Sequence, residues 1–212
     1  MLLVGITGSI GMGKSTVAQM FKVHGYGVYN ADDTVHYIYE KDEEVITKVE
    51  AKFPGSTKDG AVNRMALRDI LNKDPKKFRD LEQIVHPVTR NYQIMYINKL
   101  IEEGKTGCVL DIPLLFETGG EKYVDVSVVV TASEETQQSR VVSERKVPLE
   151  IFNAIKGQQM PDREKLKKAD YIISTDSQIE KTKLEVKEVV WWSIYEIGHR
   201  LSDNFDDVPE NQ

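Results

Sequence analysis

Residues 8–15 read GSIGMGKS, and this stretch decides the fold. Gly8 and Gly13 enclose four residues and are followed directly by Lys14 and Ser15. Glycine adopts backbone angles that other residues avoid, so successive N–H groups in such a turn can converge on one anion. The lysine adds positive charge, and the hydroxyl is a suitable ligand for Mg²⁺. The stretch therefore predicts a loop that holds the phosphates of a nucleotide.

The residues on either side of this loop support that prediction. Before it, the apolar run LLVGIT at residues 2–7 is typical of a buried parallel strand. After it, Val17, Met20 and Phe21 recur at helical spacing, and the positive end of that helix would point at the same phosphates. Strand, glycine-rich turn and helix occur in the order of a P-loop nucleotide-binding protein, which disfavours a chance glycine turn.

The composition is that of a globular protein with room for a substantial core. The chain has 212 residues, of which 40% are hydrophobic and 29% charged, and its net charge is −6. The acidic balance argues against broad binding to nucleic acid. No apolar run approaches the ~18–20 residues of a membrane span, and no basic leader precedes the first strand, so we expect a cytoplasmic protein. The single cysteine, Cys108, lies in an apolar stretch and is expected in the core.

Charge is distributed unevenly along the chain. The segment from Arg140 to Lys168 is rich in lysine and arginine, which suits a small anionic ligand. Residues 202–212 carry acidic charges and no basic residue, so they are expected to form a disordered or loosely attached tail.

Strand candidates alternate with helical stretches, which predicts an α/β fold built on a parallel sheet. After residues 2–7, the candidate strands are 25–30, 107–112, 124–131 and 171–174. Residues 32–100 form a long helical region with no convincing strand, and residues 139–168 form a second insertion. The final helix carries an apolar stripe made of Ile179, Val186, Val190, Ile194, Ile197 and Leu201. Trp191 and Trp192 in that helix are expected to be core and rim aromatics.

Acidic residues follow two of the predicted strands. Ligands of open α/β sheets gather beyond the carboxyl ends of strands, so Asp32 or Asp33 could orient a hydroxyl for phosphoryl transfer. An Asp here could equally be a helix N-cap. Asp111 could hold Mg²⁺ through water, bind an acceptor, or fix the turn before proline, and Glu117 is a similar case.

Two further kinds of residue are candidates for the site. His86 precedes a proline, which predicts that the helix breaks there and presents the imidazole. No histidine pair has metal-ligand spacing, so a zinc site is rejected. Arg140 and Arg145 begin the basic segment, where a planar guanidinium would match the charge of a transferring phosphoryl group. A solvated basic helix face is the alternative for these arginines.

Several separated motifs, taken together, resemble one family, the dephospho-coenzyme A kinases. The resembling segments are ITGSIGMGKST at 6–16, NAD at 30–32, IVHP at 84–87, DIPLLFE at 111–117, QMP at 159–161 and ADYII at 169–173. They run through nearly the whole chain in the family's order. The combination of IVHP with DIPLLFE is specific, because a generic P-loop kinase is not expected to show both.

The resemblance implies ATP-dependent transfer of the γ-phosphate to the ribose 3′-hydroxyl of dephospho-coenzyme A, which completes coenzyme A synthesis. It also implies a three-layer P-loop kinase fold with a helical acceptor-binding insertion and a short helical lid. The predicted nucleotide-binding core comprises residues 1–31, 86–138 and 169–212, the acceptor-binding subdomain 32–85 and the lid 139–168. The expected partner is dephospho-coenzyme A, with no nucleic acid or membrane, and the chain is expected to be a monomer or weak homo-oligomer.

The resemblance assigns roles residue by residue. The implied catalytic residues are Asp32 as the base, Lys14 and Arg140. The implied ATP-binding residues are Gly8, Gly11, Met12, Gly13, Lys14, Ser15, Thr16, Arg140 and Arg145, with Ser15 as the Mg²⁺ ligand. The implied acceptor-binding residues are Asp32, His86, Asp111, Leu114, Leu115 and Glu117.

The chain departs from the family pattern at five positions: Ser9, Met12, Asn30, His36 and Thr175. Asn30 replaces the usual first Asp of the D-A-D motif, and Thr175 replaces the Asn that commonly follows the last strand. None of these changes removes the lysine, hydroxyl or base that the chemistry needs. The alternatives are another nucleoside monophosphate or small-metabolite kinase, a nucleotide-binding regulator without kinase activity, and a scaffold with a vestigial loop.

Overall fold

The computed structural model describes the backbone of residues 1–206 and the side chains of these residues except Pro75 and residues 196–206. The strands are β1 Leu2–Thr7, β2 Tyr26–Asn30, β3 Thr57–Lys58, β4 Ala61–Val62, β5 Gly107–Asp111, β6 Val126–Thr131 and β7 Tyr171–Ser174. The α-helices are α1 Lys14–Met20, α2 Ala31–Lys41, α3 Glu43–Lys52, α4 Arg64–Lys73, α5 Phe78–Glu102, α6 Glu134–Gln138, α7 Leu149–Gln158, α8 Asp162–Lys168 and α9 Ile179–Asp206. A π-helix covers Ser139–Glu144.

The chain divides into two compact units. One consists of Met1–Tyr29 and the chain from Glu103 onward, and the other of Asn30–Glu102. The predicted acceptor-binding subdomain at 32–85 lies within the second unit, and its predicted end falls inside α5. The assignment of nucleotide binding, acceptor binding and lid closure to separate segments of the chain stays a prediction.

The first unit contains a five-stranded sheet in the order β2-β5-β1-β6-β7. The pairs β1–β5, β1–β6 and β6–β7 are all parallel, which confirms the predicted α/β class. In register, Ile6 lies opposite Asp111 and Thr7 opposite Val129. The carboxyl ends of three neighbouring strands therefore meet where the glycine-rich loop begins, as the sequence pattern requires.

The two faces of β1 bury different partners because side chains alternate along a strand. Leu2, Val4 and Ile6 belong to an apolar core that also contains α1 and α9 residues, among them Val17, Ala18, Val186, Val189 and Val190. On the opposite face, a Cβ at Gly5 would lie 3.0 Å from Leu115 and from Val124. The sheet is thus covered on both sides, as is usual for parallel sheets.

Strand boundaries differ slightly from the sequence predictions. β2 begins at Tyr26 because Gly25, with φ of 84°, ends the preceding 3₁₀ turn in a left-handed conformation. The predicted strands 107–112 and 124–131 are each shortened to the residues that pair in the sheet. Cys108 is buried, as predicted, and burial raises the pKa of its thiol to about 12.

The last helix confirms part of the predicted apolar stripe. Val186 and Val190 are buried, whereas Ile179 and Ile194 are exposed, and the side chains of Ile197 and Leu201 lie outside the described residues. Trp192 packs at the rim against Tyr171, with ring centroids 5.9 Å apart.

Trp191, by contrast, is 71% exposed, so its predicted burial is wrong. The α9 helix continues to Asp206 and includes part of the predicted tail, while residues 207–212 are not described.

The second unit is mainly helical and has its own apolar core. Residues from α2, α3, α4, α5 and β4, with Phe53 at the end of α3, form this core: Ile38, Tyr39, Val45, Val49, Phe53, Val62, Leu67, Leu71 and Val85. The prediction that this region has no strand is wrong, because β3 and β4 form a short antiparallel hairpin. Asp59 and Gly60 form its turn, both with positive φ, and an Asp-Gly dipeptide favours such a two-residue turn.

The predicted break at His86 is also wrong. Helix α5 runs through Pro87 without interruption. Leu81, Ile84, Val85 and Val88 pack into the second unit's core on either side of the proline, and this burial outweighs the lost backbone hydrogen bond.

Within the described residues, no helix is both long enough and apolar enough to cross a membrane.

Candidate active site

The loop between β1 and α1 is shaped by three glycines and by close packing. Gly8, Gly11 and Gly13 have φ values of 152°, 81° and 89°. A Cβ on Gly8 would lie 2.3 Å from the carbonyl oxygen of Val130, and one on Gly11 would lie 2.6 Å from Val141 Cγ2. Neither position can hold a side chain without moving its neighbours. The GxxxxGKS spacing thus produces the compact anion-binding turn that the sequence predicts.

Lys14 and Ser15 occupy the first turn of α1, directly after the loop. Lys14 Nζ donates a hydrogen bond to the carbonyl oxygen of Gly8 at 2.9 Å. This bond folds the lysine back over the loop, where its charge would meet a phosphate. Thr16, the next residue, is exposed in the same turn.

Ser15 and Asp111 form a pair of oxygen donors at the end of the sheet. Ser15 Oγ donates to Asp111 Oδ2 at 3.2 Å, and the aspartate is buried. The parallel pairing of β5 with β1 brings Asp111 there. A hydroxyl and a carboxylate are hard oxygen ligands of the kind that Mg²⁺ prefers, so the donor set fits this ion. No group of three or more His, Cys, Asp or Glu side chains in the described part of the chain could hold a metal by itself.

Met12 lies inside the loop, and its side chain is directed into the core. It is 2% exposed, and its sulfur accepts a hydrogen bond from the amide of Ala132 at 3.1 Å. Its own amide donates to the carbonyl of Ser9 at 3.2 Å. Met12 therefore stabilises the turn, and its predicted contact with ATP stays a prediction.

At the tip of the loop, two glutamine side chains form hydrogen bonds with the backbone of Ile10. The Ile10 amide donates to Gln159 Oε1 at 3.1 Å, and Gln137 Nε2 donates to the Ile10 carbonyl at 2.7 Å. Ser9 Oγ donates to the carboxylate of Asp162 nearby. These three partners were missed by sequence reasoning. The QMP motif at residues 159–161 was the available signal, although it assigns no role to its glutamine.

A second anchor joins the segment after β5 to α8. Glu117 Oε1 accepts from the Met160 amide at 2.8 Å and lies 3.0 Å from Lys165 Nζ. Lys165 is fully buried, and the remaining oxygen of Glu117 has no hydrogen-bond partner among the described residues. Glu117 is therefore bound to the insertion that contains Met160, and its predicted contact with the acceptor stays a prediction. Lys165 is therefore not one of the exposed basic residues of the segment from Arg140 to Lys168.

The residues between Asp111 and Glu117 form a turn rather than a continuous ligand surface. Thr7 Oγ1 donates to the Pro113 carbonyl at 3.0 Å, which fixes the start of that turn. Leu115 is fully buried, so the predicted contact between its side chain and an acceptor is not supported, whereas Leu114 is 40% exposed.

Arg140 lies beside the loop, within the π-helix. Its Nη1 donates to Thr175 Oγ1 at 2.8 Å and to the Gly11 carbonyl at 3.4 Å, and its Nη2 donates to the Thr175 carbonyl at 2.7 Å. The π-turn is closed by the amide of Arg145, which donates to the Arg140 carbonyl at 3.2 Å. Arg145 itself is exposed. The predicted proximity of Arg140 to the phosphate loop is thus present, whereas the π-turn has no sequence signal that we identified.

The second unit carries the other candidate residues. Asn30 caps α2, because its side-chain oxygen accepts from the amides of Asp32 at 2.9 Å and Asp33 at 3.2 Å. Asp32 is therefore not the N-cap, and its exposed carboxylate has no hydrogen bond or ion pair among the described residues. His86 is exposed on α5, and the ring of His36 is hydrogen-bonded to the Arg64 guanidinium.

The glycine-rich loop, its lysine, the Ser15–Asp111 pair and the arginine of the helical insertion define a P-loop kinase. Residues 2–181 match the family model described as dephospho-CoA kinase. The chain belongs to the dephospho-CoA kinase family.

Individual relatives and solved structures resemble this chain over most of its length. A dephospho-CoA kinase from Rhodopseudomonas palustris (strain HaA2) is 44% identical over 190 residues, which cover 90% of this chain and 94% of the relative. One from Agrobacterium fabrum is 42% identical over 190 residues, covering 90% and 97%. The crystal structure of TT1252 from Thermus thermophilus has a TM-score of 0.79 and 31% identity, and covers 89% of this chain and 96% of its own. Dephospho-CoA kinase from Campylobacter jejuni gives a TM-score of 0.64 and 27% identity, covering 89% and 95%.

Proposed function

We propose that this protein transfers the γ-phosphate of ATP to the ribose 3′-hydroxyl of dephospho-coenzyme A, the last step of coenzyme A synthesis. Membership of the dephospho-CoA kinase family supports the reaction. The observation that carries the donor half is the phosphate loop, in which Lys14 and the Ser15–Asp111 pair lie at the carboxyl end of the central strands. The acceptor half rests on the family motifs.

The donor half binds ATP through the loop backbone and Lys14. The amides of Gly11, Gly13 and Ser15 would donate to phosphate oxygens, and Lys14 would exchange its bond with the Gly8 carbonyl for one with the β- and γ-phosphates. Ser15 and Asp111 would hold Mg²⁺, either directly or through water. When bound, Mg²⁺ neutralises charge on the β- and γ-phosphates.

Arg140 would stabilise the phosphoryl group in transfer. Charge spreads over the equatorial oxygens of that group in the transition state, and a planar guanidinium can bind two of them at once. Arg140 belongs to the predicted lid at residues 139–168, which contains the π-helix, α7 and α8. Closure of such an insertion over ATP would exclude water and so limit hydrolysis.

Asp32 would act as the general base. The 3′-oxygen of the acceptor attacks the γ-phosphorus, the bond from that phosphorus to the β–γ bridging oxygen breaks, and ADP leaves. The hydroxyl proton passes to the Asp32 carboxylate. Asp32 suits this role because Asn30 supplies the helix cap and leaves the aspartate carboxylate available.

A substrate panel tests the proposed reaction. ADP release is measured with dephospho-coenzyme A, nucleoside monophosphates and shikimate as alternative acceptors. Turnover that depends on dephospho-coenzyme A is the expected result. Turnover only with the other acceptors would show a different small-molecule kinase. Slow ATP hydrolysis whose rate no acceptor changes would show a nucleotide-binding regulator.

Cytoplasmic location, the absence of nucleic-acid partners, and a monomeric or weakly associated state remain proposals. The proposal that the protein has no nucleic-acid partner rests on its acidic net charge of −6. Sedimentation velocity on the purified protein measures the association state.

A further inference from the structure

Thr175, which directly follows β7, connects three parts of the nucleotide site. Its hydroxyl oxygen lies 2.8 Å from Arg140 Nη1 and 2.9 Å from the Met12 carbonyl oxygen in the phosphate loop. Its own carbonyl accepts from Arg140 Nη2 at 2.7 Å. The family resemblance usually places Asn at this position, so the arrangement depends on a residue in which this chain departs from the pattern.

The direction of each hydrogen bond follows from the number of available protons. A threonine hydroxyl donates one hydrogen and accepts others. Its two possible acceptors are the Met12 carbonyl at 2.9 Å and the Thr131 carbonyl at 3.3 Å, of which Met12 is the nearer, and the guanidinium of Arg140 can only donate. The hydroxyl therefore donates to Met12 and accepts from Arg140.

This arrangement fixes the orientation of the Arg140 guanidinium. Both terminal nitrogens are bound to Thr175, which is bound to the phosphate loop, and Nη1 also makes a longer bond of 3.4 Å to the Gly11 carbonyl of that loop. Three of the five guanidinium N–H groups are used in these bonds, and the charge of Arg140 also interacts with the Asp176 carboxylate, whose pKa it helps to lower. A long, flexible side chain is thus held in one orientation before the nucleotide binds, and this reduces the entropy lost on binding.

We propose that Thr175 is a positioning residue that pre-orients Arg140 toward the phosphates of ATP. The inference rests on the proposed role of Arg140 in ATP binding and deepens it. Thr175 does not itself touch the reacting atoms. Its hydroxyl is bonded both to the loop carbonyl of Met12 and to the Arg140 guanidinium, so the position of the guanidinium depends on that of the loop.

The test compares variants of Thr175 by their affinity for ATP and by kcat. Thr175→Val removes the hydroxyl and keeps the branched shape, and Thr175→Ser keeps the hydroxyl. Should Thr175→Val fail to fold, Thr175→Ala removes the same group with less bulk. Calorimetry gives the Kd of ATP, and coupled assays with dephospho-coenzyme A give kcat and KM.

We expect Thr175→Val to weaken ATP binding or lower kcat by about 10-fold, the size expected for a lost hydrogen bond to a charged group. Thr175→Ser, which keeps the hydroxyl, should have an ATP Kd and a kcat within about 2-fold of the wild-type values. Thr182→Val is the matched control. This buried threonine also donates its hydroxyl to a backbone carbonyl near β7, that of Ser174 at 3.2 Å, and its loss should leave the ATP Kd unchanged.

A double-mutant cycle separates positioning from a merely structural role. In an Arg140→Ala background, Thr175→Val should have no further effect on the Kd of ATP, because the group that it positions is gone. The inference would be overturned if Thr175→Val weakened ATP binding equally in the wild-type and Arg140→Ala proteins. It would also be overturned if Thr175→Val alone left both the Kd of ATP and kcat unchanged. Because ATP affinity is measured without an acceptor, this result stands apart from the proposed reaction, which fails only if the wild type does not phosphorylate dephospho-coenzyme A.

Discussion

Lys165 Nζ lies 3.0 Å from Glu117 Oε1, and the lysine side chain is fully buried. The same carboxylate oxygen accepts from the Met160 amide, so Glu117 joins the turn after β5 to the start of α8. That turn lies beside the glutamine and aspartate that hold the tip of the phosphate loop. The ion pair therefore supports the loop indirectly, although neither partner is expected to touch a nucleotide.

Removing Lys165 should destabilise the protein strongly. Lys165→Met leaves the Glu117 carboxylate in a largely buried place without its counter-charge, and breaking a buried pair typically costs about 3–5 kcal/mol. Urea unfolding measures the loss. Lys167→Met is the control, because Lys167 is exposed on the same helix and its replacement should change the unfolding free energy by less than about 0.5 kcal/mol. Similar values for the two variants would contradict the assignment of this pair.

Gly8 should be intolerant of any side chain. A Cβ there would lie 2.3 Å from the Val130 carbonyl oxygen, and the backbone φ of 152° is itself unfavourable for other residues. We expect Gly8→Ala to lower stability by about 2 kcal/mol and to weaken ATP binding by at least about 10-fold. Gly157→Ala is the control, since its Cβ would meet nothing within 4 Å, and it should raise stability by about 0.5–1 kcal/mol. Normal ATP binding by Gly8→Ala would show that the loop is not the phosphate site.

Tyr26 should make the protein sensitive to alkali. Burial raises the pKa of its phenol to about 12, and the hydroxyl has no hydrogen-bond partner among the described residues. The folded pKa exceeds the unfolded value near 10, so the folded protein holds the phenol proton more tightly than the unfolded chain. The contribution of this proton to the free energy of unfolding is therefore complete below about pH 10 and is lost as the pH rises toward about 12.

Tyr26→Phe should remove this contribution to alkaline unfolding and leave stability at pH 7 equal or slightly higher, because it deletes an unsatisfied buried group. Its aromatic contact with Phe21, at 5.6 Å between ring centroids, is retained. The measurement is urea unfolding at several pH values between 7 and 11.5. An identical pH dependence in both proteins would refute the assignment to Tyr26.

Cys108 should be unreactive in the folded protein. With a thiol pKa of about 12, the thiolate is only about one part in 10⁴ at pH 8, and the side chain is fully buried. Alkylation by iodoacetamide should therefore be at least about 100-fold slower in native buffer than in urea. Comparable rates in the two conditions would show that the thiol is accessible.

The donor half of the site could be predicted from sequence because its signals are local. The spacing from Gly8 to Ser15 fixes the loop, and the strand before it and the helix after it are continuous in the chain. The sequence also predicts that Asp111 ends a strand, but its pairing with Ser15 requires the register of β5 against β1, which a single sequence does not reveal.

The supporting residues could not be predicted because they depend on contacts between distant segments. Gln137 and Gln159 lie more than a hundred residues from Ile10, which they clamp, and a glutamine has no distinctive pattern before the fold is known. Lys165 belongs to the basic segment from Arg140 to Lys168, and its burial against Glu117 depends on a contact that the sequence does not reveal. Pro87 predicts a break because local geometry favours one, whereas burial of the surrounding α5 residues keeps the helix intact.

The most direct test of the central claim is transfer of label from γ-³²P-ATP to dephospho-coenzyme A by the wild type and by Asp32→Asn. The wild type should produce 3′-labelled coenzyme A. Asp32→Asn should lower kcat by roughly 10²–10⁴-fold, as expected for loss of a general base, while ATP affinity remains nearly normal. Asp33→Asn, which changes the neighbouring exposed carboxylate, is the control and should retain kcat. Absence of labelled product with the wild type, or near-normal turnover by Asp32→Asn, would contradict the account.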